Sequence, residues 1–239
     1  MREITHKGLA RVVGLYGSYP IDSNSLQLLE FSSIEPDRLN REEIAKGPLK
    51  AIKTSIEWLV KHTLKAKELS IQYLNEANKA YKIGDPSWIR WLGWCFHFIT
   101  DWATPYHSPD SKSNPIIKST SGIFKEAYEN KGGLFVPILN TVSTLIKSKV
   151  DHDNFEDICE KRWQQNETLV KNNFIKLKKS RKSNLDLKVF NTMMDILRFN
   201  CENLSADWII ISTNQEFASY MTEIAKVMDV ACCIIMESR

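Results

Sequence analysis

The chain has 239 residues, 43% of them hydrophobic and 26% charged, with 32 basic against 29 acidic side chains. These proportions exclude a disordered or collagen-like chain, and a net charge of +3 is too small to require a nucleic-acid partner. Nine Gly and eight Pro are few for a sandwich or barrel, and five Cys without a C-x-x-C spacing read as reduced, buried thiols.

Helical periods run along almost the whole chain, with helices predicted near 5–16 and 23–33. Ile52, Ile56, Leu59, Val60, Leu64, Leu69, Ile71 and Leu74 recur at three- and four-residue steps, as one buried helical stripe would. Gly47-Pro48 breaks or starts that segment, and Gly84-Asp85-Pro86 closes it and caps the next. Residues 86–102 are apolar nearly all round (Trp88, Ile89, Trp91, Leu92, Trp94, Cys95, Phe96, Phe98, Ile99), which predicts a helix in the middle of a bundle. Residues 108–121 read as a loop, and further helices are predicted near 118–129, 134–149, 153–180, 185–202 and 215–236. The expected fold is all-α, a single compact domain over 1–239 built around a buried central helix. No run of about 18 apolar residues occurs, so no transmembrane segment is expected. The opening Met-Arg-Glu-Ile-Thr-His has no apolar core of a signal peptide, which predicts a cytoplasmic protein, or a secreted one if a leader has been removed.

The chemistry is concentrated in the apolar helix. His97 and Asp101 are four apart and project from one face. Pro105 ends the helix, and His107 follows in the turn, giving His97-x3-Asp101-x5-His107. Chance produces this triple in about 0.5% of random orderings of the same composition. A buried His and Asp are costly unless they pair with each other or bind a metal. His152 and Glu156 repeat the four-residue spacing at what reads as a helix start, a pattern that a solvated helix face also produces. The remaining histidines are His6 and His62, and Asp37 follows Pro36.

On these residues the chain resembles the zinc-dependent phospholipase C family and its relatives, the fungal single-strand-specific nucleases. The stretch 66–107, with Tyr73, Leu74, Ala77 and Tyr81-Lys82, is similar to the family's central helix pair, and the C-terminal helix to its closing one. The resemblance implies an all-α fold holding two or three zinc ions. It makes Asp101 a carboxylate shared by two ions, and places His97, Asp101, Asp37 and His62 on the first. His107, His152 and Glu156 would hold the second, and His6, Asp101 and the terminal Met1 the third. His62 has a second reading, as a surface histidine on a Lys-rich helix face. The interval from His107 to His152 is longer than in the family and suggests an insertion near 110–150.

The implied activity is phosphoric ester hydrolysis by metal-activated water attacking phosphorus, as in a phospholipase C-like phosphodiesterase. Asp37 is the candidate to orient or deprotonate that water, and Arg38 is the candidate to contact a phosphate oxygen, with a solvent-facing role as its alternative. The expected partner is a phosphate-ester substrate bearing a lipid head group or a nucleotide. Two other readings stay open: a single-strand nuclease or 3′-nucleotidase on the same zinc framework, and a non-catalytic helical zinc-binding protein. The basic cluster Lys176, Lys178, Lys179, Arg181 and Lys182 reads as a solvated helix end, so no stable nucleic-acid complex is expected. The sequence leaves the oligomeric state open.

Overall fold

The computed structural model describes residues 3–46, 54, 57–58, 61–62, 64–107, 138–178, 185–204 and 208–238. All regular structure among the described residues is helical: α1 (Glu3–Tyr16), α2 (Ser23–Ser32), α3 (Glu35–Ile44), α4 (Ala66–Lys82), α5 (Trp88–Trp102), α6 (Ile138–Lys178), α7 (Leu187–Glu202), the short α8 (Trp208–Ile211) and α9 (Asn214–Met236), with a 3-10 turn at Pro105–His107. No described helix is long and apolar enough to cross a membrane. The loop at 108–121 and the helix expected near 118–129 lie outside the described residues, as does most of the basic cluster after Lys178.

The all-round apolar helix is α5, and it is central. It packs against α4, α2, α1, α9, α7 and α3, and buries a continuous run from Leu92 to Asp101 apart from Trp94. The second core element, α9, starts at a capping box. The Thr213 side chain accepts from the Glu216 N–H, and Glu216 reaches back to the Thr213 N–H. It then buries Phe217, Met221, Ile224, Met228 and Ile235 against α6, α1, α7, α4 and α5. Trp163 of α6, 1% exposed, lies where a Cβ on Gly8 would stand, 2.2 Å from its ring nitrogen, so the small residue lets α1 and α6 meet.

Two expectations are corrected. The apolar stripe 52–74 is not one helix, because a turn and bend at Leu64 and Lys65 precede α4. The buried face of α4 is Ala66, Ser70, Leu74, Ala77 and Ala80, mostly small residues that let α5 approach closely, rather than the larger Leu69 and Ile71. The helices expected at 134–149 and 153–180 are one helix of 41 residues. Asp151-His152-Asp153-Asn154 resembles an N-cap, but neither Gly nor Pro interrupts the segment, so the helix continues through it. The punctuation at Gly84 holds. Gly84 has φ +73°, its N–H donates to Tyr81 and the Asp85 N–H to Ala80, a Schellman ending that turns the chain from α4 into α5.

Candidate metal centre

His97 and Asp101 sit one turn apart on the buried face of α5, 0% and 1% exposed, with His97 Nε2 3.1 Å from Asp101 Oδ2. Gly93, one turn before His97, allows this arrangement. A Cβ there would stand 2.4 Å from Ser32 Cβ and 2.9 Å from the Ser32 carbonyl carbon. The end of α2 therefore lies directly on α5, and His97 Nδ1 donates to the Ser33 carbonyl at 2.9 Å. That bond fixes the tautomer and turns Nε2 toward the carboxylates, the arrangement that outer-shell carbonyls impose on metal-binding imidazoles.

Three further segments converge on the same spot. The 3-10 turn after α5 returns His107, 2% exposed, so that its Nδ1 lies 3.3 Å from Asp101 Oδ1. His6 in the first turns of α1 stacks its ring on His97 with centroids 4.6 Å apart, and its Nε2 is 3.9 Å from Asp101 Oδ1. His62 is buried at 1% exposure, not a surface residue; its Nδ1 meets Asp101 Oδ2, and its Nε2 is 3.6 Å from Asp37 Oδ1.

Asp37 comes from α3, an element not anticipated, which begins at Glu35 with Pro36 in its first turn. Glu35 anchors this helix by a two-pronged pair with Arg90 (2.7 and 2.8 Å) and by accepting from Trp94 Nε1 at 2.8 Å. Asp37 Oδ1 accepts from Trp58 Nε1 at 2.9 Å and lies 3.7 Å from His97 Nε2. With 23% of its side chain exposed, Asp37 is the most open of the six. Trp58 was not anticipated either, although it precedes His62 by the same four residues that separate His97 from Asp101. Its ring packs on His62 at 4.6 Å and meets His107 edge-on at 6.4 Å.

The electrostatics match the geometry. Burial alone would raise the Asp101 carboxyl, but His97, His62 and His107 outweigh it and hold it well below the ordinary carboxylate range. Burial also acts upward on Asp37, and His97 and His62 again hold it low. Burial lowers the His6 imidazole, and His97 lowers it further, to about 3, so His6 is neutral at physiological pH. On His97 burial acts downward, but Asp101 and Asp37 outweigh it and raise its pKa.

The donor set fits a metal. Both ring nitrogens of His6 and Nε2 of His62 are buried with no hydrogen-bond partner among the described residues, a costly state unless a cation takes the lone pairs. Two groups, His6–Asp37–His97 and His62–His97–Asp101, each keep their ligand atoms within 4.8 Å of one another. That spacing suits side chains that share an ion about 2.0–2.2 Å from each. Buried His/Asp clusters able to hold a metal ion are thus present.

The chain matches no known family model, no curated protein and no solved structure.

The four residues expected on the first ion, His97, Asp101, Asp37 and His62, lie together. Of the expected second set, His107 is in place, and Glu156 is half-buried on α6; the His152 side chain lies outside the described residues, although its backbone belongs to α6. Of the third, His6 and Asp101 approach each other, and Met1 lies outside the described residues. Arg38 stacks its guanidinium over Phe31, 4.8 Å from the ring centroid.

Proposed function

We propose that this protein is a zinc-dependent phosphoric ester hydrolase, a phosphodiesterase of the phospholipase C type. The supporting observation is the convergence of His6, Asp37, His62, His97 and His107 on Asp101, with buried imidazole nitrogens left for a cation. Zinc bound by these side chains would polarise a phosphoryl oxygen and lower the pKa of water toward neutrality. The protein's own contribution is to hold the ligands and to orient water. Asp101 serves as the common carboxylate, and the Ser33 carbonyl keeps His97 Nε2 directed inward. Asp37, ionised and at the open edge, accepts a hydrogen bond from the attacking water and aligns it with phosphorus. Its depressed pKa makes it a weak proton store, so orientation is its larger role.

Burial favours a second reading. Five of the six residues are at most 2% exposed, as in closed structural zinc sites. One experiment separates the two: elemental analysis of protein purified without chelator, followed by assay on a chromogenic phosphodiester, a choline-phosphate ester and single-stranded DNA. The hydrolase reading expects two or three zinc ions per chain and ester cleavage that chelation abolishes. Bound zinc without cleavage of any ester supports the structural reading, and cleavage of DNA alone supports a nuclease. A metal-free protein whose melting ignores chelators overturns both zinc readings.

A further inference from the structure

The last carbonyls of a helix need donors, and at the end of α5 these come both from the turn that follows and from distant helices. The Thr104 N–H serves the Asp101 carbonyl at 2.9 Å and Thr104 Oγ1 serves Thr100 at 2.9 Å. Tyr220 of α9 donates its hydroxyl to the Ala103 carbonyl at 2.5 Å. Arg198 of α7 does more than satisfy one acceptor. Its Nη1 donates to the Trp102 carbonyl at 3.1 Å and its Nη2 to the His107 carbonyl at 3.5 Å, so one guanidinium spans both ends of the turn.

Arg198 is only 6% exposed, an expensive position for a charge. Glu202 pairs with Nε at 2.9 Å, the Trp102 ring lies under the charge at 4.3 Å, and the C-terminal end of α5 presents its negative dipole to it. Buried ion pairs are weak sources of stability and better suited to fixing one geometry among several. The geometry fixed here is the turn that brings His107 back to Asp101.

We propose that Arg198 is a positioning residue: by clamping the Trp102 and His107 carbonyls it sets the His107 imidazole against Asp101. The role rests on the metal-centre reading only in its consequence for zinc affinity; the placement of His107 is independent of it.

The test therefore has two arms. In metal-free protein, proton NOEs from the His107 ring to Trp58 and His62, whose centroids lie 6.4 and 6.1 Å away, report the placement. Arg198→Met is expected to lose them, and Arg198→Lys, which cannot bridge two carbonyls with a fork, to weaken them. The His62–His97 contact at 4.9 Å should persist in both. If Arg198→Met does not fold, Arg198→Lys decides. Unchanged His107 contacts in the variants that fold overturn the proposal. In the second arm, zinc titration against a competing chelator should show affinity reduced about 10–100-fold in Arg198→Met, the range of outer-shell losses. Phe190→Leu, a buried change elsewhere on α7, should lower melting without that loss. An equal loss in Phe190→Leu reduces Arg198 to a general stabiliser and defeats the proposal. A wild-type protein that binds no zinc defeats the proposed function, and the NOE arm still decides Arg198.

Discussion

Two buried aspartates, Asp101 on α5 and Asp229 on α9, are 1% and 2% exposed, yet they have opposite surroundings. Asp229 accepts from the Ser18 N–H at 2.8 Å and from Ser18 Oγ at 3.0 Å, fastening the chain between α1 and α2 onto α9. Gly17 makes room for it, since a Cβ there would stand 2.8 Å from Asp229 Oδ1. Asp101 meets four imidazoles instead, and on two of them, His6 and His62, buried ring nitrogens have no hydrogen-bond partner among the described residues. Burial of a carboxylate therefore does not mark a functional site. What distinguishes Asp101 is that two of its partners, His6 and His62, bury ring nitrogens that a further ligand would satisfy.

The largest expected effect comes from exchanging oxygen for nitrogen at each aspartate. Under the proposed function, Asp101→Asn should weaken zinc binding by more than about 100-fold, beyond the range of an outer-shell change, and should remove hydrolysis with it. Asp229→Asn should instead cost about 1–3 kcal/mol in denaturant unfolding and leave the zinc content unchanged. Equal zinc loss in both variants would erase the distinction. Next in size is Gly93→Ala, whose added methyl group meets Ser32 backbone and side chain. We expect about 1–3 kcal/mol of destabilisation. Displacing Ser33 from His97 should also weaken zinc binding, measurable by chelator competition.

A smaller effect is expected from pH. Folded His6 stays neutral down to about 3, whereas the unfolded chain protonates it near 6.5, so the unfolded state binds more protons between these values. Stability of the metal-free protein from this group is fully present above pH 6.5 and is lost as pH falls toward 3. His97 has the opposite shift and contributes its variation above 6.5, because below that it is protonated in both states. Thermal melts with chelator across pH 6.5 to 4 should therefore show a falling melting temperature, and a flat profile contradicts the assigned environment of His6. The smallest effect concerns thiols. All five cysteines are buried, and burial holds Cys159 and Cys201 up near 12. A thiol reagent should label all five in denaturant and react far more slowly with the native protein.

The sequence made α5 legible because no face of it is polar, and only a helix surrounded by others tolerates that. His97, Asp101 and His107 were legible together because their contacts are local. Asp37 and His62 were harder, since tertiary packing brings them to Asp101 from 64 and 39 residues away and no local pattern encodes it. The apolar stripe 52–74 misled for a related reason: what decides the buried face of α4 is how closely α5 can approach, which favours alanines over the larger aliphatic residues. Trp58 carries no signal in the sequence, because its indole N–H matters only once α3 supplies Asp37.

The arrangement of α3 also bears on kinetics. Asp37 stands at the open edge of the cluster, and the side chains behind it are sealed by packing. An ion held there would leave past Asp37, the most exposed of these side chains, so its dissociation rate should depend on how firmly α3 is held. Loosening the Arg90–Glu35 latch, for instance by Arg90→Met, should then accelerate metal exchange while every ligand remains in the chain.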